Sequence, residues 1–162
     1  MLAEWLEQGL EGRAPSHTRG RIAGGRYRLV APGVLELVPD TPSAEARACV
    51  LSVGIHGNET APMELLGEVL ARLEAGLLCL GAPLLVILGN PEAIRRGTRY
   101  VATNLNRLFR HDLAEAGDEP DRARVLMAKV DTFYARHAGR ERLHYDLHTA
   151  IRDSRFPRFV VE

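Results

Sequence analysis

Cysteine is scarce, with only Cys49 and Cys79 in 162 residues. Both lie inside apolar runs, ACVLSV and LLCLGAPLLVIL, so the sequence predicts reduced core thiols rather than a disulfide framework or a cysteine-based zinc site. Net charge is also lacking, since 21 lysines and arginines balance 21 aspartates and glutamates. No whole-molecule field draws nucleic acid or an anionic membrane, and any anion preference must come from a local cluster. A long apolar run is missing as well. The uncharged residues 75–90 are broken by Gly76, Gly81, Pro83 and Gly89, well short of the roughly 20 residues a membrane helix needs. The opening MLAEWLEQGLEGR is acidic where a secretory signal is basic, and it has no apolar core, so a cytoplasmic protein is expected. Neither Ser52 nor Ser154 sits in a G-x-S-x-G elbow, which leaves serine hydrolase chemistry without support.

What is present suits one globular domain over residues 1–162: 46% hydrophobic and 26% charged residues, with no repeat, low-complexity tract or linker. Leu2, Leu6 and Leu10 with Ala3 and Trp5 predict a short peripheral helix ended by Gly9 and Gly12, and residues 15–25 read as a loop. Residues 27–30 and 34–38 flank Ala-Pro-Gly and predict a hairpin. ACVLSV at 48–53 predicts a central strand, and Pro62 to Leu73 a helix with proline in its first turn. LLVIL at 84–88 predicts a second buried strand parallel to the first, because a crossover helix separates them. A helix from Asp121 to about Arg140 should cover the sheet. A third core strand is expected to end near Asp146, with residues 156–161 as a further candidate strand. The class is α/β, with a mixed, largely parallel sheet flanked by helices in three layers.

Two constellations carry chemistry. In Gly54-Ile-His56-Gly-Asn-Glu59 an imidazole and a carboxylate share a glycine-rich turn where a buried strand hands over to a helix, the end of a parallel sheet at which ligands collect. Zinc sites commonly join two histidines and one carboxylate, leaving a position for water. Asp146-Leu-His148, at another predicted strand end, supplies His148 as third ligand, with Asp146 behind it as an orienting group. The bland alternative is that His56 and Glu59 cap the next helix and His148 is a core histidine. The glycines weigh toward the metal, since they let backbone approach a ligand. The second constellation runs from Arg95, Arg96 and Arg99 to Asn106, Arg107 and Arg110. Arginine forks match carboxylates bidentately, which points to a small substrate bearing several carboxylates. The alternative for Arg95, Arg96 and Arg110 is a solvated basic face. A nucleic-acid role has no motif and no interleaved aromatics, and His17, His111, His137 and His144 read as structural.

The segments GIHGNETAP, VILGNPEAIRRGTRYVATNLNRLF and YDLHTAIRDS resemble the successive signatures of the succinylglutamate desuccinylase/aspartoacylase family, a branch of the zinc-carboxypeptidase-like fold. The resemblance spans the chain from about Tyr27 onward. It implies one zinc ion per chain held by His56, Glu59 and His148, with Arg99 polarising the scissile carbonyl and Asn106 with Arg107 gripping a substrate carboxylate. The implied reaction is hydrolysis of N-succinyl-L-glutamate to succinate and L-glutamate, the last step of the succinyltransferase route of arginine catabolism. The family's general base is a glutamate in a later segment resembling T-L-E-L-G. No such segment occurs here, and Glu162 does not match it, so an N-terminal part of a longer enzyme is expected. An N-acyl amino acid deacylase of aspartoacylase type, a peptide carboxypeptidase and a non-catalytic zinc- and carboxylate-binding module remain alternatives. An unpaired sheet edge makes self-association an expectation.

Overall fold

The computed structural model describes residues 2–11, 13 and 16–150. Six strands form one mixed sheet: β1 (Arg19–Ile22), β2 (Gly25–Ala31), β3 (Val34–Pro39), β4 (Ala48–Val53), β5 (Leu84–Leu88) and β6 (Arg142–Asp146), in the spatial order β1-β2-β3-β5-β4-β6. Four helices accompany them: α1 (Leu2–Leu10), α2 (Ala61–Glu74), α3 (Pro91–Arg96) and α4 (Asp118–Arg136). The expected hairpin is β2–β3, with a bulge between Leu29 and Ala31. The expected parallel pair is β4–β5, joined through α2, and β6 adds a second parallel partner to β4. β1–β2, β2–β3 and β3–β5 are antiparallel, so parallel pairing is confined to β5-β4-β6 and the sheet is less parallel than expected. Short turns join β1 to β2 and β2 to β3, which permits only antiparallel neighbours there.

Alternation along the strands sorts side chains onto two faces. Leu35, Leu37, Val53, Val86 and Leu88 meet α1 and α2 on one face, while Val34, Val50, Leu85 and Ile87 meet α4 on the other. That is the three-layer arrangement the period-2 pattern requires. On α2, Met63, Leu66, Leu70 and Leu73 form the buried stripe, and Pro62 occupies the first turn, where a missing N–H costs nothing. Removing one such side chain, as in Leu66→Ala, costs about 2–5 kcal/mol.

Several expectations are corrected. The N-terminal helix is not peripheral: Leu2, Trp5 and Leu6 are buried in the same cluster as α2. Gly9 lies within it, pressed toward Leu88, rather than ending it. Part of the expected 15–25 loop is strand β1, hidden from hydropathy because its sequence is RGRI. β6 is not a core strand; among the described strands it pairs only with β4, and most of it is exposed. Cys79 is exposed and Cys49 partly so, and both are free thiols. The apolar run around Cys79 is a connection between α2 and β5, not a packed element. The candidate strand at 156–161, Ser154 and Glu162 lie outside the described residues. Among those described, no helix is long and apolar enough to cross a membrane.

Candidate metal centre

β4 ends at Val53, and Gly54 takes a left-handed φ of 65°, turning the chain across the carboxyl edge of the parallel strands. His56 and Glu59 follow before α2 begins, both buried. At Gly57 a Cβ would stand 2.1 Å from the Ala93 carbonyl carbon and 2.3 Å from the Ile94 nitrogen. This glycine therefore admits the backbone of α3, not a ligand, which corrects the reason given for it from sequence.

His148, just beyond β6, meets the same point because β6 runs parallel beside β4. His56 Nδ1 lies 2.9 Å from Glu59 Oε1 and 3.2 Å from His148 Nδ1, and His148 Nδ1 lies 2.9 Å from Glu59 Oε2. All three can offer ligand atoms within 4.8 Å of one another. Neither histidine nor glutamate caps α2: its N-cap is Thr60, which makes no side-chain capping bond.

The outer ring nitrogens fix the tautomers. His148 Nε2 lies 2.7 Å from Asp146 Oδ2, an acceptor-only group when ionised. His56 Nε2 lies 3.2 Å from Asn104 Oδ1, an oxygen that also accepts the Asn106 backbone N–H. Each Nε2 must therefore carry a hydrogen, which in a neutral ring leaves the Nδ1 lone pair directed inward. Two such lone pairs and a carboxylate converging at hydrogen-bond range form a donor set that a shared cation would satisfy. Donors about 2.0–2.1 Å from a tetrahedral zinc lie roughly 3.4 Å apart, close to the separations found here, so the residues fit the ion.

Burial is the strongest single influence on Glu59 and opposes its charge, but the Thr149 N–H together with His148 and His56 outweighs it and holds the carboxyl below its usual range. The hydrogen bond that His148 Nε2–H donates to Asp146 is the chief influence on His148 and raises its pKa against the effect of burial. Arg99, about one-third exposed, donates to Glu59 Oε1 at 3.0 Å, and its carbonyl accepts the Gly57 N–H.

The remaining arginines part company. Arg95 and Arg96 bond to Glu92 on their own helix, and Arg110 to Glu115, so none of them reaches the centre and the solvated-face alternative holds for all three. Asn106 and Arg107 are exposed on a 3-10 turn, Leu105–Arg107, whose N-cap is Asn104. Two roles escaped the sequence reading. Asn104 is the outer partner of His56. Glu119, in the first turn of α4, accepts from the Val101, Ala102 and Thr103 amides at 2.8, 2.8 and 2.5 Å and from Asn90 Nδ2 at 2.8 Å. It ties down the loop carrying Arg99 and Asn104. An acidic residue opening a helix is an ordinary sequence feature, so nothing local marks this role.

Known proteins match both the sequence and the fold. The Succinylglutamate desuccinylase/Aspartoacylase catalytic domain matches residues 45–162. A succinylglutamate desuccinylase of Yersinia pseudotuberculosis serotype O:3 (strain YPIII) is 42% identical over 160 residues, 98% of this chain and 48% of that protein. The crystal structure of the succinylglutamate desuccinylase from Chromobacterium violaceum superposes with a TM-score of 0.84 at 39% identity, covering 95% of this chain and 48% of the other. A metallo-carboxypeptidase from Pseudomonas aeruginosa, 18% identical with a TM-score of 0.53 over 91% of this chain and 38% of its own, shares the fold. The chain spans about half the length of the curated relatives it matches. With the match extending through both loops that meet at the metal centre, the chain belongs to the succinylglutamate desuccinylase/aspartoacylase family.

Proposed function

We propose that this chain binds one zinc ion through His56, Glu59 and His148 and serves the hydrolysis of N-succinyl-L-glutamate to succinate and L-glutamate, within arginine catabolism. The observation that carries this reading is the convergence of three lone-pair donors whose tautomers are fixed from behind by Asn104 and Asp146. Zinc, when bound, supplies a water of lowered pKa and polarises the amide carbonyl.

The protein's own groups supply orientation and charge. Arg99 keeps one N–H on Glu59, and its remaining donors are available to the oxygen on which negative charge develops, where fixed donors contribute most. Arg107 offers a planar fork to a substrate carboxylate, with Asn106 as a neutral donor beside it. Asn104 couples the two ends: its side chain holds His56 while it starts the turn bearing Asn106 and Arg107. Two guanidinium groups, Arg99 on Glu59 and Arg107 on the turn that Asn104 starts, favour a substrate with several carboxylates over a neutral peptide. Glu59 is engaged by the metal in this scheme and by Thr149 and Arg99, so proton transfer to the leaving amine falls to another carboxylate.

The test is release of glutamate from N-succinylglutamate by the zinc-loaded chain, with N-acetylaspartate alongside and zinc quantified in the same sample. One zinc per chain and preference for the succinyl compound, in binding or in turnover, supports the reading. Binding without turnover assigns the proton-transfer carboxylate outside these 162 residues. Preference for N-acetylaspartate replaces the substrate, and absence of stoichiometric zinc overturns the proposal. Arg107→Lys keeps the charge and loses the fork, so affinity for N-succinylglutamate should fall about tenfold, the loss of one good charged contact; unchanged affinity moves the carboxylate grip elsewhere.

A further inference from the structure

At the far side of the sheet from the metal centre, β1 and β2 present four arginines on one face. Their register sets Arg19 directly opposite Arg28 and Arg21 opposite Arg26. Like charges facing each other across a strand pair destabilise it, so this arrangement is unfavourable for the fold alone. The C-terminal end of α4 adds Arg136, and these side chains line a groove of about 500 Å³.

Counter-charge is insufficient. Glu36 lies at the base, buried, accepting from Arg28 Nε at 2.7 Å and from Arg136 at 2.8 Å, and Asp40 pairs with Arg21 at 2.6 Å. Five guanidinium groups thus face two carboxylates, and neither Arg19 nor Arg26 has a carboxylate within ion-pair range among the described residues. His137 Nε2, buried at the groove, has no hydrogen-bond partner among the described residues and lies 3.9 Å from Glu36 Oε1. The molecule is neutral overall, so this is a local field built into one patch. Aromatic platforms for bases are missing from the groove, because its one aromatic ring, Tyr27, is buried, which disfavours a nucleic-acid strand.

We propose that this groove is a second binding site, separate from the metal centre, for a small multivalent oxyanion carrying two or more phosphate or carboxylate groups. Residues two apart on a strand are about 6.7 Å apart and adjacent strands about 4.8 Å. Four forks on that grid can engage several anionic groups of one molecule at once, which a single carboxylate cannot satisfy. Three strand spacings, roughly 14 Å, separate β2 from β4. The groove is therefore spatially separate from the candidate metal centre.

The probes are inorganic triphosphate and citrate, titrated calorimetrically into the zinc-loaded chain at low and moderate salt. Saturable one-to-one binding that weakens with salt is expected, and the stronger of the two probes identifies phosphate or carboxylate as the preferred source. Combined Arg19→Ala and Arg26→Ala substitution should weaken binding at least tenfold, and Arg19→Lys with Arg26→Lys should weaken it less. Neither arginine makes an ion pair among the described residues, so the alanine variant should melt no lower than the parent without anion, and triphosphate should raise the melting temperature of the parent only. His56→Ala should retain the binding. Non-saturable binding, unchanged affinity in the double variant, or binding lost in His56→Ala but kept in the double variant overturns the proposal.

Discussion

Replacing Glu119 by glutamine changes one oxygen to an amide nitrogen and leaves the shape intact. In the parent, Oε1 accepts from Asn90 and Val101 and Oε2 from Ala102 and Thr103, so both oxygens face only donors. An NH2 group in either place meets two N–H groups head-on. Hydrogen bonds to charged groups are worth about 1.5–3 kcal/mol each, and the exposed 101–103 backbone regains water, so the lower end applies and the loss is about 3 kcal/mol. For a chain of this size that lowers the melting temperature by roughly 6–12 °C. The loop freed by the change carries Arg99 and Asn104, so zinc affinity should fall by about tenfold as well. Burial raises the Glu119 pKa more than any other single influence, yet the three amides and Asn90 together outweigh it and hold the carboxyl below its usual range. A carboxyl depressed on folding stabilises above its unfolded value of about 4.3 and loses that contribution as pH falls through the folded value. The gap between parent and Glu119→Gln should therefore be full at pH 7 and close in acid. Urea and thermal melts of both proteins across pH measure it. A gap under 0.5 kcal/mol at pH 7, or one that persists undiminished in acid, would refute the assignment.

Three further outcomes follow from the same geometry. Arg122 donates to the carbonyls of Gly89, Pro32 and Leu88 at 2.8, 2.8 and 2.6 Å, and burial lowers its pKa to about 10, so it stays charged at neutral pH. Arg122→Met should cost about 3 kcal/mol in urea unfolding, and a loss below 1 kcal/mol would show that the carbonyls are satisfied without it. Gly57→Ala should displace the site loop from α3, lowering both the melting temperature and zinc occupancy; an alanine variant with parental values contradicts the close approach to Ala93. Asn104→Ala removes the outer partner of His56 and should weaken zinc binding about 10–100-fold, whereas unchanged affinity in equilibrium dialysis against a chelator would mean that His56 is oriented by something else.

The parts of the fold that were legible were those in which burial and period agree. ACVLSV, LLVIL and the stripe on α2 are apolar at the spacing their elements demand. The convergence of His56, Glu59 and His148 was legible because His56 and Glu59 share one turn and Asp146 with His148 stands two residues apart at a strand end. β1 was not legible, because its alternating positions are arginine and glycine rather than apolar residues. Burial of α1 depends on α2 and Leu88, which no local window contains. Asn104 and Glu119 act across 48 and 29 residues of sequence, on His56 and Asn90 respectively, and only the folded chain reveals such pairs. Arg95 and Arg96 misled because clustering in sequence put them near Arg99, while the helix turned them to Glu92.

The central claim is that His56, Glu59 and His148 hold a zinc ion through two Nδ1 atoms and a carboxylate. X-ray absorption at the zinc edge of the loaded chain tests it most directly. Nitrogen and oxygen neighbours at about 2.0–2.2 Å, with the outer scattering of two imidazole rings, are the predicted result. In His148→Ala the imidazole scattering should halve or the zinc be lost. Sulfur at about 2.3 Å, or a spectrum that His148→Ala leaves unchanged, would contradict the site.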